Sequence, residues 1–307
     1  MKKPKIVVIG SANTDMVVMV KHLPVPGETV LGDQFFTTRG GKGANQAVAA
    51  VRLGADVTLV TRLGRDTFGR ELFAAYEAEG INTRFIVWDD AAPSGTALIM
   101  VDSERGENII AVAPGANALL SPQDVQAAEH AIQAADYLLI QLEIPLETVI
   151  AAVAVAEKHQ VRVILNPAPA TKLPAELLNR IDTLTPNETE AVELAEEPSA
   201  SSAGDAAFAL RSKFKIKNLI ITMGKQGALI ADYRNETIPG YHVQPIDTTG
   251  AGDTFNGALT VALARGDILR DAVKFANAVA ALSTTRLGAQ TAMPTSAEVD
   301  SFLKANC

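Results

Sequence analysis

The sequence predicts an α/β fold in which helices flank a mostly parallel central sheet and a small antiparallel β-sheet is attached to it. Short apolar runs rich in β-branched residues alternate with longer helical patterns, which is typical of a parallel sheet. The runs are apolar on both faces, as expected for strands buried between two helical layers. Two segments, 16–39 and about 95–113, have strand character without an intervening helix, and they predict the small sheet.

Five apolar runs are predicted as strands and five longer segments as helices of the main domain. The strands are 6–9, 57–60, 137–140, 161–165 and 218–222, and the helices are about 43–54, 66–79, 122–135, 146–159 and 203–213. Ser121 and Pro122 have the residue types of an N-cap and a first helical position. Gly54 and Gly80 follow two of the helices, where glycine commonly ends a helix.

The two irregular segments admit two interpretations. Residues 16–20 and 96–101 are strand-like, and the polar residues 102–108 predict a hairpin turn after the second run. The segments are either extra edge strands or a lid over a cleft, and a ligand site beside them would favour the lid. Residues 196–204 predict a surface loop rather than a domain linker.

Length, charge and cysteine content limit the classes of function. The chain has 307 residues, 48% of them hydrophobic, and a formal net charge of −8, so one large or two smaller domains are expected. The acidic balance argues against nucleic acid as the main partner but leaves a small anionic ligand open. The only cysteine is Cys307, which excludes a disulfide framework. No apolar run predicts a membrane span or a signal peptide, so we expect a soluble cytoplasmic protein.

The most informative motif is the glycine-rich string 247–257. It follows a β-like segment, 241–243, and opens an apolar-periodic helix from about 253 to 264. The small residues 250–252 let backbone N–H groups approach a ligand, and a helix N-terminus adds partial positive charge, so the string predicts an anion hole. Asp253 would place a carboxylate beside the bound anion. The alternative is a glycine-rich turn with an acidic residue in the first helical turn.

A second glycine-rich string, 39–50, also precedes a helix. Gly40 and Gly41 would let a sugar or similar polyol approach the backbone, while Lys42 and Asn45 offer directional polar contacts. The string is not a phosphate-binding Walker A loop, because Gly43 stands where that loop has serine or threonine.

Polar residues also follow the first predicted strand. Asn13 and Asp15 fall at its carboxyl end, where ligands bind in open α/β sheets, and such a pair can hold adjacent hydroxyl groups. An Asn-x-Asp sequence is equally compatible with a simple turn.

Asn187 and Glu190 stand three residues apart at the start of a predicted helix. They are interpreted either as a helix cap or as a site for a hydrated Mg²⁺ ion, which needs few protein carboxylates.

Taken together, these strings resemble the ribokinase family of carbohydrate kinases. The resemblance is strongest at 40–47 and 247–253. It extends over essentially the whole chain through four further strings, 26–29, 141–143, 166–169 and 222–224. Within the family, the residues at 42–46 are more similar to those of the ribose-phosphorylating branch than to those of the fructokinase, adenosine kinase or sugar-phosphate kinase branches.

The resemblance implies a reaction and the residues that perform it. The reaction is ATP-dependent phosphorylation of D-ribose at its 5-hydroxyl. The residues implied to hold the sugar are Asn13, Asp15, Gly41, Lys42, Asn45, Glu143 and Asp253. The residues implied in catalysis are Asp253 as the base and the amides of Gly250, Ala251 and Gly252 around the transferring phosphoryl group.

The resemblance also implies cofactors. The residues implied to contact ATP are Asn187, Glu190, Thr222, Gly224, Gly227, Gly252 and Asn277, with Glu190 reaching Mg²⁺ through water. The residues implied to surround K⁺, mostly through backbone carbonyls, are Asp247, Thr249, Ser283, Arg286 and Gly288. Ala292 departs from the family, which often has serine there, and this makes K⁺ dependence less certain than catalysis.

The resemblance finally implies a domain division and an assembly. The main domain would comprise 1–14, 40–94 and 114–307, and 15–39 with 95–113 would form a discontinuous lid that pairs with a partner's lid in a homodimer.

Two alternatives remain: a kinase for 2-deoxyribose or another sugar or nucleoside, and a non-catalytic sugar-binding regulator. Retention of Asn13 favours a sugar with a 2-hydroxyl, and an intact Asp253 favours catalysis.

Overall fold

The computed structural model describes residues 3–105, 107–197, 200–232 and 235–306. Parts of four sequence expectations lie outside these ranges: Met1 and Lys2 at the start of the chain, where no signal peptide is expected, Gly106 in the polar turn, Pro198 and Ser199 in the surface loop, and Cys307.

The described residues form two sheets. Their strands, numbered in chain order, are β1 (Lys5–Ile9), β2 (Asn13–Val20), β3 (Gly32–Gly40), β4 (Asp56–Gly64), β5 (Asn82–Asp89), β6 (Gly95–Asp102), β7 (Asn108–Ala113), β8 (Tyr137–Ile140), β9 (Arg162–Leu165), β10 (Thr183–Leu184), β11 (Asn218–Thr222), β12 (Ala228–Ala231) and β13 (Glu236–Ile238). The larger sheet has the order β13-β12-β11-β10-β9-β8-β1-β4-β5. Its strands from β11 to β5 are parallel, and β12 and β13 continue it as antiparallel edge strands.

Helices cover both faces of the larger sheet. In chain order they are α1 (Lys42–Arg52), α2 (Thr67–Ala78), α3 (Pro122–Ala127), α4 (Glu129–Gln133), α5 (Leu146–Lys158), α6 (Ala175–Leu178), α7 (Glu188–Ala195), α8 (Ala203–Lys213), α9 (Ala251–Arg265), α10 (Leu269–Ser283) and α11 (Ser296–Ala305). Successive β1 side chains alternate between two hydrophobic clusters, with Ile6 and Val8 in one and Val7 and Ile9 in the other. This alternation explains why the strand is apolar on both faces. The predicted α/β class is confirmed.

The small sheet has the strand order β3-β2-β6-β7. Its outer pairs, β2 with β3 and β6 with β7, are antiparallel, as the hairpin pattern predicts. Its central pair, β2 with β6, is parallel. The parallel pairing has a topological reason: β2 follows β1 and β6 follows β5, and both parent strands end at the carboxyl edge of the larger sheet. Both strands therefore leave that edge in the same direction.

The structure corrects the sequence prediction at two places. The helix predicted over 122–135 is interrupted at Ala128, which ends α3 and precedes α4. The β-like segment 241–243 is irregular, because β13 ends at Ile238 and the chain runs to α9 without further strand pairing. Among the described residues, no helix is long and apolar enough to cross a bilayer.

Candidate active site

The candidate site lies where the carboxyl end of β1 meets the first turns of α1 and α9. The connection from β1 to β2 passes under α1, where the Ala44 N–H donates to the Ser11 carbonyl at 2.9 Å. Gly257 of α9 faces Ala49 of α1 so closely that a β-carbon would stand 2.7 Å from the Ala49 methyl group. This close helix packing brings polar side chains from α1 onto the start of α9.

Asp253 is the side chain on which that packing converges. It lies in the first turn of α9 and is only 7% exposed. Asn45 Nδ2 donates to one carboxylate oxygen at 2.9 Å, and Gln46 Nε2 donates to the other at 3.0 Å. Burial raises the pKa of the Asp253 carboxyl, and the Lys42 ammonium and the two amide donors partly oppose that rise. The carboxylate is thus oriented before any ligand binds.

Further amides fix the two donors in turn. Gln290 Nε2 donates to Asn45 Oδ1 at 3.1 Å, and Gln141 Nε2 donates to Gln46 Oε1 at 2.6 Å. Because each amide oxygen accepts, each amide nitrogen must face Asp253.

Four acidic side chains and one lysine share the site: Asp15, Glu143, Glu190, Asp253 and Lys42. Burial raises the pKa of Asp15 to about 7, and the neighbouring Glu143 and Asp253 add to the rise. Burial would lower the pKa of Lys42, but the surrounding carboxylates outweigh it and raise that pKa. Lys42 therefore stays charged and offsets part of the negative charge gathered here.

One cavity of about 370 Å³ opens beside Glu143. Asn13 and Glu143 line its polar side, and Val112 of β7 lines it from the small sheet. Glu143 Oε2 accepts the Ser11 hydroxyl at 2.5 Å and the Lys42 backbone N–H at 3.1 Å, so its carboxylate is held in place. A cavity with polar groups on one wall and an apolar strand on the other suits a small polyol.

A second cavity, of about 210 Å³, opens at the N-terminus of α9. Its lining includes Lys42, Asn187, Glu190, Thr222, Gly250, Ala251, Gly252 and Asp253. The N-cap of α9 is Gly250, which makes no side-chain cap bond, so the first turn of the helix presents backbone N–H groups as an anion site does. The Ala251 N–H already donates to the Thr248 carbonyl at 3.2 Å, so a bound anion would share or replace that bond.

Asn187 and Glu190 form a reciprocal cap at the start of α7. The Glu190 N–H donates to Asn187 Oδ1, and the Asn187 N–H donates to Glu190 Oε2, both at 2.8 Å. Burial raises the pKa of Glu190, while the Asn187 N–H and Lys42 oppose the rise. The capping interpretation is thereby confirmed, and both residues also line the second cavity.

The described residues include no cluster of three or more His, Cys, Asp or Glu side chains that could hold a metal ion. A single carboxylate beside an anion cavity fits Mg²⁺ that keeps most of its waters and takes its other ligands from phosphate.

Of the other residues implied to border the nucleotide, one lines the second cavity and three shape the chain around β12 and β13. Thr222 lines the second cavity and forms a parallel bridge with Asn187. Gly224 and Gly227 bound the turn between β11 and β12. Asn277 Nδ2 donates to the Ile238 and Pro239 carbonyls at 3.0 and 3.2 Å, so this side chain anchors the chain after β13.

The residues implied to surround K⁺ are only partly brought together. Asp247 accepts the Gly288 N–H at 2.8 Å and both the N–H and the hydroxyl of Thr249, which ties the 284–289 loop to the start of α9. The Ser283 hydroxyl instead donates to Ala280 O within α10, and Arg286 pairs with Glu298 at 2.6 Å. The side chains of Ser283 and Arg286 are therefore bonded away from the Asp247–Gly288 contact.

Comparison with known proteins assigns the family. A model of the pfkB family of carbohydrate kinases matches residues 3–296. The chain is 44% identical over 303 residues to ribokinase of Haemophilus influenzae, covering 97% of each chain. It is 36% identical over 305 residues to deoxyribokinase of Salmonella typhi, covering 98% of this chain and 99% of the relative. The structure of Arabidopsis thaliana ribokinase complexed with ribose and ATP is similar at a TM-score of 0.87 and 33% identity, covering 99% of each chain.

The chain belongs to the pfkB family of carbohydrate kinases. The resemblance found in the sequence is confirmed, and the protein is an ATP-dependent sugar kinase. A pfkB kinase needs neighbouring sites for sugar and nucleotide, and the two cavities are linked by Lys42, which lines the second and donates its backbone N–H to Glu143 of the first.

Sequence reasoning missed several polar residues of this pfkB site. Gln46 lies in the 39–50 string without a role assigned to it, and Asn117 and Gln290 stand outside the strings. Their functions depend on partners more than 100 positions away along the chain, which no local spacing reveals.

Proposed function

We propose that the protein transfers the γ-phosphoryl group of ATP to the 5-hydroxyl of D-ribose, giving D-ribose 5-phosphate and ADP. One observation carries the proposal: the Asp253 carboxylate lines a cavity at a helix N-terminus, and Lys42 of the same cavity donates its backbone N–H to Glu143, which lines a cavity with polyol-type donors and acceptors. The relatives that carry the name ribokinase support ribose as the sugar.

Asp253 would act as the base toward the 5-hydroxyl. A carboxylate is a weak base for an alcohol, but in phosphoryl transfer the proton can leave as the new bond forms. The Asn45 and Gln46 amides aim both carboxylate oxygens, and a charged Lys42 limits the repulsion between Asp253 and the incoming phosphate. Catalysis then rests mainly on positioning and on charge stabilisation.

Backbone amides at the start of α9 would stabilise the transferring group. Gly250, Ala251 and Gly252 line the second cavity together with Asp253. Loss of a single donor from such a hole costs on the order of 2.7–4 kcal/mol of transition-state stabilisation in other enzymes.

Two cations complete the proposal. Glu190, through water, and the phosphates of ATP would hold Mg²⁺, which when bound neutralises charge on the phosphoryl oxygens. Backbone carbonyls around Asp247, Thr249 and Gly288 would hold K⁺ and so stiffen the loop before α9. Thr222, Gly224, Gly227 and Asn277 would form or support the nucleotide side.

The small sheet would act as a lid and as a dimer interface. Phe35 of β3, Leu98 of β6 and Ile109 of β7 lie on one face of the small sheet and are 62%, 57% and 44% exposed. Exposed apolar side chains of this size on one sheet suit pairing with the same sheet of a second copy. Closure over the sugar would exclude the water that competes for ATP. We place this reaction in the cytoplasm, where ATP is available.

A kinase for 2-deoxyribose is the second candidate, because a relative 36% identical to the chain carries the name deoxyribokinase. Asn13 favours ribose, since it offers a side-chain amide to a hydroxyl that deoxyribose lacks. A non-catalytic regulator is disfavoured by the oriented Asp253.

The test is ADP release with ribose, 2-deoxyribose, fructose and adenosine, each with and without K⁺, followed by ³¹P NMR of the product. We expect the highest kcat/KM with ribose and a 5-phosphate product. A higher kcat/KM with deoxyribose would replace the first candidate with the second. Ribose binding in calorimetry without ATP turnover would support the regulator.

A further inference from the structure

We infer that Asn117 sets the orientation of the Asn13 amide and thereby makes Asn13 a hydrogen-bond donor toward the sugar. Asn117 is a positioning residue for substrate specificity, because it acts through Asn13. The inference rests on the proposed function, since it takes the 370 Å³ cavity as the sugar site.

The orientation follows from a chain of three hydrogen bonds. The Ala12 N–H donates to Asn117 Oδ1 at 2.9 Å, and Asn117 Nδ2 donates to the Ala12 carbonyl at 3.1 Å. A backbone N–H can only donate and a backbone carbonyl can only accept, so the two ends of the Asn117 amide cannot be exchanged. Asn117 Nδ2 also lies 2.7 Å from Asn13 Oδ1, which must therefore be the accepting end of Asn13.

The Asn13 Nδ2 group is left for the cavity. Both asparagines line it, although Asn13 is only 4% exposed and Asn117 only 2%. The neighbouring side chains Asp15, Glu143 and Asp253 are hydrogen-bond acceptors when ionised. A sugar hydroxyl in this site can donate to a carboxylate and accept from Asn13. If Nδ2 and Oδ1 of Asn13 changed places, the Asn13 oxygen would face the sugar hydroxyl. That hydroxyl would then have only hydrogen-bond acceptors around it.

The pair is built into the junction of the two sheets. Asn13 begins β2 and is in register with Gly95, the first residue of β6. Asn117 lies in the 3-10 turn Gly115–Leu119, which follows β7. A β-carbon at Gly95 would overlap both Asn117 Nδ2 and Asn13 Oδ1, so the pair requires glycine at this position. Three connections between the sheets thus meet at the Asn13 amide: β1 to β2, β5 to β6, and β7 to the 3-10 turn.

A double-mutant cycle tests whether Asn117 acts through Asn13. The variants are Asn13→Ala, Asn117→Ala and the double variant, and kcat/KM is measured with ribose and with 2-deoxyribose. Asn117→Ala should lower kcat/KM for ribose by about 2- to 13-fold, the range for one net hydrogen bond, through KM for the sugar and not through kcat or KM for ATP. In the Asn13→Ala background the same substitution should cause less than a twofold further loss.

Equal losses in the two backgrounds would mean that Asn117 only supports the backbone, and the inference would be wrong. Asn82→Ala is the matched control, because this exposed asparagine bonds Thr58 Oγ1 at 3.2 Å at the edge strand β5 and should leave all kinetic constants unchanged. Thermal unfolding of every variant identifies any loss that is due to folding.

Asn13→Asp tests the orientation while leaving Asn117 in place. An aspartate still accepts from Asn117 Nδ2 but turns a carboxylate oxygen into the cavity in place of an amide donor. We expect it to lose at least as much kcat/KM for ribose as Asn13→Ala does, whereas unchanged kcat/KM would overturn the inference.

Failure of the proposed function is distinguishable from failure of this inference, because the wild-type protein itself would then not phosphorylate ribose. The cycle would be run with the sugar that it does phosphorylate.

Discussion

The two sides of the site are built by different means. The phosphate side is formed by a helix terminus, small residues and the Asn187–Glu190 cap, all of which are set by short stretches of chain. The sugar side is formed by side-chain amides and carboxylates whose partners lie far away in sequence, such as Asn13 with Asn117 and Ser11 with Glu143. Every phosphoryl donor presents the same tetrahedral anion, so backbone groups suffice for it. A particular sugar is distinguished by its hydroxyl pattern, which needs oriented side chains.

The largest expected effect on kcat comes from Asp253, the carboxylate proposed as the base. Asp253→Asn should lower kcat on the order of 10²–10⁴-fold, because it removes the base, while ribose affinity measured by calorimetry changes only a few-fold. Asp267→Asn, at an exposed position just after α9, is the control and should keep full activity. Unchanged kcat in Asp253→Asn would refute the assignment of the base.

A phosphate-side change should cost less and should spare the fold. Gly252 is the second residue of α9, and a β-carbon added there meets no protein atom within 4 Å. Gly252→Ala should leave the melting temperature unchanged or slightly higher, yet lower kcat about 10- to 100-fold, since a methyl group would displace the phosphoryl group.

Gly204→Ala makes the matching change at the second residue of α8, where the nearest atom, Ser202 Oγ, is 3.8 Å away. It should preserve activity. Wild-type kcat in Gly252→Ala would argue that the anion does not approach this part of the helix.

The sugar side should show a pH dependence set by Asp15. The pKa of Asp15 is raised to about 7, so the carboxyl gains its proton as pH falls through 7 and loses an acceptor for the sugar. We expect kcat/KM for ribose to fall about tenfold between pH 8 and pH 6, with little change in KM for ATP. The Asp15→Asn variant should lack this inflection, and its retention there would assign the titration to another group.

The same burial has the opposite consequence for stability. The unfolded carboxyl ionises near 3.8 and the folded one near 7, so the folded protein binds the extra proton and its free energy of unfolding decreases as pH rises between these values. Asp15→Asn should therefore be more stable than the wild type at pH 8, by up to about 4 kcal/mol, and equally stable near pH 3.5. Calorimetric melts at the two pH values measure the difference.

The smallest effect is expected for the cap on the phosphate side. Glu190→Gln keeps an oxygen that accepts the Asn187 N–H but removes the charge. We expect an unchanged melting temperature, a rise in the Mg²⁺ concentration needed for half-maximal activity, and a fall in kcat of only about three- to fivefold at saturating Mg²⁺, as suits a water-mediated contact. A Mg²⁺ titration that coincides with the wild type would exclude Glu190 from the metal site.

Much of the fold was visible in the sequence because its signals are local. Runs such as 6–9 and 218–222 are buried on both faces and rich in β-branched residues, so they indicate strands without further context. The two-residue strand β10 is too short to show any periodicity. Residues 241–243 have strand-like chemistry but find no strand to pair with, and pairing is a tertiary property.

The candidate site divides in the same way. The glycine-rich string before α9 and the Asn187–Glu190 cap could be recognised because their geometry depends on adjacent residues. The roles of Gln46 and Asn117 could not, because Gln46 meets Asp253 across 207 positions and Asn117 meets Asn13 across 104.

By itself, the sequence determined the fold class, the glycine-rich helix start of α9 and the resemblance to a family of sugar kinases. Each of these follows from backbone conformation or residue type over a few neighbouring positions. Only the tertiary structure decided which way the Asn13 amide points, how Asp253 is aimed and why Asp15 holds a proton near neutral pH. These properties depend on distant groups brought together in a buried, weakly screened site, where burial and nearby charges act on orientation and protonation at once.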